Sequence, residues 1–398
     1  MRIALITNRY SPNSIGGAEK TSRILSEGIT NQGYELSVLS LNNGHEINKE
    51  RGAGVEIDRL KIRNLYVPGT KKQKILTKAL WHTFDSYNFL ASKDVYDWLL
   101  INKPDVVHTH NLSGFSPIIW RSVKKLDIQL IHTLHDYYFL CPRTTMFKNS
   151  KICEKPCLEC KVLSQPKMKL TNLVDTVVGV SNHILDQHII NGGFLNSRKV
   201  VIYNGIELSE PAAIEKEKKI FEGKPLQFGY IGKINESKGL KLLLEEFIKL
   251  PSSKASLLIA GTGNIDYLEK LKELTKGRAN VEWLGHVEPE PFYKNLDVIV
   301  IPSLWNEPFG LVAIEPLEYG VPVIVSNRGG LSEIITSEEI GWCFDPDQPS
   351  SLFELLENSI QNSKKIRSMG GKVMQCVERF SSNHMINSYI KENKRLMS

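Results

Sequence analysis

Apolar residues in the first two hundred positions fall in short unbroken runs: RIALIT at the start, YELSVLSL around Val38, DVVHTH around Val106, QLIHTL around Ile131, TVVGV around Val177 and KVVIY around Val201. Strands covered on both faces read this way, because neither face meets water. Segments of helical periodicity separate the runs, the first over residues 18–31. The plan then repeats with LQFGYIG, ASLLIAG, NVEWLG, DVIVIP and VPVIVS. Strands alternating with helices predict parallel βαβ units wound into open sheets. The reading is an α/β chain of two Rossmann-like domains, residues 1–203 and 204–380, joined near EPAAIEKEKK, which is polar and carries no strand signal. The tail, 381–398, puts Met385, Ile386, Tyr389 and Ile390 on one helical stripe. Such a stripe has to dock, and the first domain is the expected place.

A length of 398 residues suits two or three domains. With 41% hydrophobic and 24% charged residues, a disordered or fibrous chain is excluded. No run approaches the roughly 20 apolar residues of a membrane-spanning helix. The N-terminus has only a four-residue apolar run and no small-residue cleavage site, so the expected location is cytoplasmic and reducing.

Charge sharpens the picture. The net +6 is uneven: residues 1–210 hold 27 basic and 19 acidic side chains, leaving 23 and 25 for the remainder. Lys71, Lys72, Lys74 and Lys78 lead into Ile75, Leu76, Ala79, Leu80 and Trp81 at helical spacing. That is a basic amphipathic stretch suited to an anionic membrane surface, or a surface helix whose apolar stripe faces the core. Peripheral attachment to the inner face of the cell membrane follows from the first reading.

Three segments carry phosphate and sugar chemistry. In SPNSIGGAEK, Gly16 and Gly17 stand before a helix start, where free N–H groups receive an anion; the G-x-G-x-x-G dinucleotide fingerprint is absent. In GYIGKINESKG, Lys233 and Lys238 flank a strand end in the second domain, able to converge on a diphosphate. The sharpest segment is PSLWNEPFGLVAIEPLEYGVPVI. It holds Glu307, then Phe309, Gly310 and Leu311, then Glu315, between a strand and a helix.

Four of the six cysteines, Cys141, Cys153, Cys157 and Cys160, are spaced C-x11-C-x3-C-x2-C, which allows a tetrahedral thiolate site. Structural zinc, an iron–sulfur cluster and unligated thiols all remain open, with zinc the leading reading. Cys343 and Cys376 read as buried thiols.

The segment with Glu307 and Glu315 resembles the E-x7-E motif of the retaining glycosyltransferases of family 4, the "group 1" family with the GT-B fold of two facing Rossmann-like domains and a cleft between them. The likeness extends to the Gly16–Gly17 loop, to His135 in IHTLHDYY, to VSNH at Ser181 and YNGIE at Asn204, and to the Lys233/Lys238 pair, where the family has arginine first. Lysine keeps the charge and loses the bidentate fork. The resemblance implies a hexosyltransferase acting with retention, without a catalytic metal, moving a hexose from a nucleotide diphosphate sugar to a hydroxyl of a lipid-linked or polysaccharide acceptor in cell-surface glycan synthesis. His135, Glu307 and Lys238 would be catalytic. Gly16, Gly17, Lys233, Lys238, Glu307, Phe309, Gly310, Leu311 and Glu315 would bind the donor, with Glu307 on the sugar and Glu315 on the ribose. His108 and His110, at a neighbouring strand end, are acceptor-side candidates. Pro316, after the second glutamate, reads as tolerable in a helix's first turn. No nucleic acid is expected. The competing readings are a zinc-stabilised nucleic-acid or scaffold protein, whose cysteine spacing is not that of a C2H2 finger, and a sugar-nucleotide epimerase or phosphorylase of the same plan.

Overall fold

A computed structural model describes residues 1–12, 16–42, 48–66, 74–209 and 223–398. The expected join at 210–219, and Lys71 and Lys72, lie outside these residues. Contacts divide the chain into two units: Met1–Met146 with Cys153–Glu207 and Ser382–Ser398, and Phe147–Ile152 with Leu208–Ser381.

The first unit is built on β1 (Arg2–Ile6), β2 (Glu35–Asn42), β3 (Asn48–Gly52), β4 (Val55–Lys61), β5 (Val106–Thr109) and β6 (Gln129–Leu134). The chain then forms a short hairpin that is grouped with the second unit, β7 (Phe147–Lys148) and β8 (Lys151–Ile152), and returns to the first unit for β9 (Thr176–Gly179) and β10 (Arg198–Val201). The sheet runs β10-β9-β6-β5-β1-β2-β4-β3 and is parallel except for β3 on β4. β1 pairs with β2 on one side and β5 on the other, so strand order reverses between β1 and β5. Helices α1 (Gly17–Asn31), α2 (Ile75–Ser86), α3 (Phe89–Asn102), α4 (Ile119–Lys125), α5 (Leu158–Leu170) and α6 (Asn182–Ile190) accompany it. The unbroken runs become strands with almost no exposure, as in β5 and β9.

The C-terminal helix, Ser382–Met397, belongs to this core. Met385, Ile386, Tyr389 and Ile390 are buried among Ile3, Leu5, Ile24 and Leu25. Each such side chain contributes about 1.5–3 kcal/mol. Polar contacts fix its register: Tyr389 Oη lies 2.9 Å from Thr133 Oγ1, and Asn393 Oδ1 lies 2.6 Å from His108 Nε2.

The second unit carries β11 (Leu226–Ile231), β12 (Ala255–Ala260), β13 (Val281–Gly285), β14 (Val298–Ile301), β15 (Val323–Ser326) and β16 (Gly341–Phe344), in the order β13-β12-β11-β14-β15-β16 and all parallel. Numbered within the unit this is 3-2-1-4-5-6, the dinucleotide-fold order, with its reversal between β11 and β14. Helices α7 (Leu240–Phe247), α8 (Ile265–Leu274), α9 (Pro289–Lys294) and α10 (Leu311–Glu318) belong to it. Open α/β sheets bind ligands beyond the carboxyl ends of their strands at such a reversal. The loops after β1 and β5, and after β11 and β14, are therefore where the chemistry should sit.

Among the described residues no helix is long and apolar enough to cross a membrane.

Candidate functional site

In the second unit, the sequence NESKG after β11 builds a small turn. Asn235 Oδ1 accepts from the Lys238 backbone N–H at 3.2 Å, capping a 3-10 turn, and Gly239 takes a left-handed φ of 69°. A β-carbon on Gly239 would fall 1.7 Å from the Pro302 carbonyl oxygen, so only glycine lets this turn lie against the end of β14. The contact delivers Lys238 to Glu307: Nζ lies 2.6 Å from Oε1. Ser303 Oγ donates to that same oxygen at 2.7 Å. Both bonds thus fall on Oε1, and Oε2 is left to accept a hydroxyl. Glu307 is buried, and Lys238 is also 5.2 Å above the Trp305 ring. Gly329, at a φ of 61°, presses on the Glu307 backbone from the loop after β15, where a β-carbon would meet the Glu307 oxygen at 2.2 Å. The Gly330 N–H donates to that carbonyl at 2.7 Å. Glu315, on α10, accepts from Tyr293 Oη at 3.1 Å, and burial together with that carboxylate pushes the Tyr293 phenol well up. Lys233 stands exposed.

In the first unit, a cavity of about 270 Å³ opens at the β1/β5 reversal. Asn8 and Arg9 line it from the loop after β1, His110 from the end of β5, His135 and Asp136 from the end of β6, and Glu19 from the first turn of α1. His110 Nδ1 and His135 Nε2 are 2.8 Å apart, so one neutral ring donates to the other. Burial lowers His135 to about 4, and burial with its imidazole neighbours holds His110 well below its usual range, so both rings are neutral at physiological pH. Burial raises Asp136 to about 6 against the opposing Tyr138 N–H bond at 2.8 Å. Behind this wall Asp85 is fully buried; its Oδ2 accepts from Tyr138 Oη at 2.5 Å and pairs with Lys167 Nζ at 3.3 Å, which sits 3.6 Å above the Tyr138 ring.

Beside that wall the thiols gather. Cys157 Sγ is 3.5 Å from Cys160 Sγ, which is 3.8 Å from Cys141 Sγ, and all six cysteines are unbridged.

Two family models together span most of the chain: "Glycosyltransferase Family 4" over residues 15–210 and "Glycosyl transferases group 1" over residues 212–373. An uncharacterized 42.6 kDa protein in the cps region of Klebsiella pneumoniae is 34% identical over 340 residues, 84% of this chain and 87% of that one. The chain belongs to glycosyltransferase family 4. Sucrose-phosphate synthase from Thermosynechococcus elongatus superposes with a TM-score of 0.77 at 19% identity, over 100% of this chain and 99% of that one. HepE of Anabaena in complex with UDP-glucose gives 0.70 at 17%, over 99% and 100%. At these identities the likeness speaks to the fold, which is GT-B: two parallel-sheet Rossmann-like domains.

This glycosyltransferase brings Lys238 and Glu307 into direct contact, and places Glu315 on α10 and His110 beside His135. Other expectations are corrected. The Phe309 ring faces inward, buried and edge-on to Phe380 at 6.0 Å, so any donor contact there would fall to its backbone. His108 does not line the cavity, because the C-terminal helix covers it and Asn393 takes its Nε2. Pro316 is the sixth residue of α10, so it lies beyond the first turn and removes the N–H that would reach the Val312 carbonyl; the helix ends two residues later. The apolar residues of α2 divide: Trp81 is buried, while Leu76 is 74% exposed and Leu80 and Phe84 are exposed with it. Asp136, Arg9 and Glu19 went unread in the sequence. An acidic residue directly after a strand-end histidine was the available signal for Asp136.

Proposed function

We propose that the protein transfers a hexose, with retention, from a nucleotide diphosphate sugar to a hydroxyl of a glycan or lipid-linked acceptor at an anionic membrane surface. The observation that carries this reading is the Lys238–Glu307–Ser303 cluster at the strand-order reversal of the second unit. Glu307 Oε2 would accept donor sugar hydroxyls, and Glu315, steadied by Tyr293, would accept those of the ribose. Lys238, with Lys233 exposed five residues earlier, would offset the charge that grows on the departing diphosphate.

Two carboxylates across a scissile bond would suggest hydrolysis. Here Glu307 is already hydrogen-bonded as an acceptor and Glu315 is engaged by a phenol, so both suit binding rather than attack. A front-face reaction is the consistent course: the bond from the anomeric carbon to the diphosphate oxygen breaks, the acceptor oxygen bonds from the same face, and the acceptor proton passes to the departing phosphate. No metal takes part in this scheme. In the first unit the neutral His110–His135 pair, Asp136 and Glu19 would orient hydroxyls of the sugar or acceptor. The Anabaena neighbour's complex with UDP-glucose supports a nucleotide sugar donor, and the Klebsiella relative's cps region accords with cell-surface glycan synthesis.

The membrane part of the reading rests on α2, α3 and α5. Leu76, Leu80, Phe84, Phe89, Leu90 and Leu158 are all exposed large apolar side chains on these helices, with Lys74 and Lys78 beside them on the chain. Such a surface pairs apolar insertion with attraction to anionic lipid.

The test is a thermal-shift panel of UDP, GDP, ADP and CMP with UDP-glucose, UDP-N-acetylglucosamine and GDP-mannose. A ligand at a hundred times its dissociation constant adds about 2.7 kcal/mol. One nucleotide class raising the midpoint, and losing that effect in Lys238→Ala, supports the reading. No response at millimolar concentration overturns it.

A further inference from the structure

We propose that Cys141, Cys153, Cys157 and Cys160 bind one zinc ion, and that this ion fastens α5 to the wall of the His135 cavity. The Sγ separations of 3.5 Å for Cys157–Cys160 and 3.8 Å for Cys160–Cys141 carry the assignment. Four sulfurs held tetrahedrally at a Zn–S distance of about 2.3 Å stand about 3.8 Å apart. A disulfide would need about 2.05 Å. The observed spacing is too long for a covalent bridge and matches sulfurs that share an ion.

The site is not preformed: among the described residues no group of three or more His, Cys, Asp or Glu side chains is already set around a metal position, so an ion would have to draw the thiols in from the two close Sγ pairs. Cys153 would supply the remaining ligand. It follows the β7–β8 hairpin, and its N–H donates to the Met146 carbonyl at 2.7 Å, which returns the chain toward the Cys141 loop. Cys141 itself is buried and fixed, its N–H donating to Tyr137 and its carbonyl accepting from Thr144. Cys157 is the N-cap residue of α5 and Cys160 lies in its first turn, so one helix start supplies two of the four ligands. Lys151, Lys155 and Lys161 offset the charge that four thiolates would leave on a dication.

The ion's purpose follows from what its ligands join. Cys141 ends the segment that carries His135, Asp136 and Tyr138, and α5 carries Lys167, which supports Tyr138 and Asp85 from behind. Zinc bound by both pieces would hold that wall closed. Its role is positional, and it is independent of how the transferase reading fares.

The experiment is metal analysis of the full chain purified under reducing conditions without chelator, with cobalt substitution alongside. The expected result is about one zinc per chain, a cobalt form with the charge-transfer and tetrahedral ligand-field bands of a thiolate site, and at least a fivefold loss of metal in Cys157→Ser and Cys160→Ser. Cys343→Ser and Cys376→Ser should keep full metal. Hydrogen exchange across 135–145 and 157–170 should rise when zinc is stripped from the wild type, while 226–344 stays unchanged; this readout needs no variant to fold. Absence of zinc with all six thiols open to titration, stoichiometric iron with sulfide, or unchanged exchange after stripping would overturn the proposal.

Discussion

Lys238 and Glu307 meet at 2.6 Å although they sit on loops after two different strands, and the meeting depends on Gly239 fitting against the Pro302 carbonyl. The contact makes one lysine serve two partners, a buried carboxylate in the structure and a diphosphate in the proposed complex. Removing the lysine should therefore cost both donor binding and local order. Lys238→Ala is expected to weaken nucleotide diphosphate binding about 10- to 100-fold by calorimetry, in line with about 1.5–3 kcal/mol for a charge-assisted bond. Because Glu307 is then left buried without its cation, the double variant with Glu307→Gln should be more stable than Lys238→Ala alone. Equal affinity in wild type and Lys238→Ala would show that the lysine is purely structural.

Tyr293 Oη donates to Glu315 at 3.1 Å. Tyr293→Phe keeps the ring packing and deletes the donor. The donor KM should rise about 3- to 10-fold with kcat changed less than twofold, since the lost bond orients a group bound alike in the ground and transition states. A fall in kcat at constant KM would place Glu315 in the chemistry instead.

Much of this was legible in the sequence, and the failures share a cause. Runs such as VVHT and VIVI could be read because both faces of a central parallel strand are covered. β4, VEIDRLK, alternates with charges, and β3, NKERG, has no apolar residue at all; β3 is the edge strand and β4 the strand beside it, where the sheet's cover thins toward water. The Lys233/Lys238 spacing and the two glutamates could be read locally, but their pairing could not, because a turn and a strand end sixty-nine positions apart are joined only by the sheet order. His108 was misjudged for the same reason. It shares a strand with His110, and the element that buries it arrives 285 positions later.

Buried imidazoles give the fold an acid limit. His108 and His188 are lowered to about 4, chiefly by burial, against an unfolded value near 6.5. The unfolded chain therefore gains protons below pH 6.5 that the folded chain refuses, and stability falls as pH drops from 6.5 toward 4. The slope is about 1.4 kcal/mol per pH unit for each proton taken up. Asp136, raised to about 6, acts the other way in part of this window, since its folded form holds a proton that the unfolded carboxyl releases. Urea midpoints between pH 7.5 and 4.5 should fall, and His108→Gln, which can keep a bond to Asn393, should flatten the curve by about one proton. An unchanged slope would mean His108 is not the neutral buried group described.

The C-terminal helix should be inseparable from the first unit. Ile386→Ala removes a side chain packed against Gly28, where even one added carbon would stand 2.1 Å from Ile386 Cδ1. The loss should be about 2–5 kcal/mol, read as a lowered denaturant midpoint. Gly28→Val should destabilise comparably by overpacking. If neither moves the midpoint, the helix is a dispensable tail.

The exposed stripe on α2 decides between a membrane surface and an ordinary solvated helix. Leu76, Leu80 and Phe84 recur every four residues on one face, and a helix buried against its own domain would not leave all three in water. If the stripe enters the lipid boundary, Leu80→Ser with Phe84→Ser should reduce sedimentation with phosphatidylglycerol-containing vesicles at least tenfold, because each apolar side chain adds about 1.5–3 kcal/mol when it leaves water. Lys74→Gln with Lys78→Gln should weaken binding less, and salt should abolish that difference, because the charges act through screened attraction. Trp81 is buried and bonded to the Tyr66 carbonyl at 2.9 Å, so all four substitutions avoid the residue that anchors the helix. Nucleotide binding, measured in the same preparations, should stay unchanged, which separates a lost membrane contact from a misfolded domain. Vesicle binding that is absent in the wild type, or equal in the wild type and the serine variant, would return the stripe to the role of a plain surface.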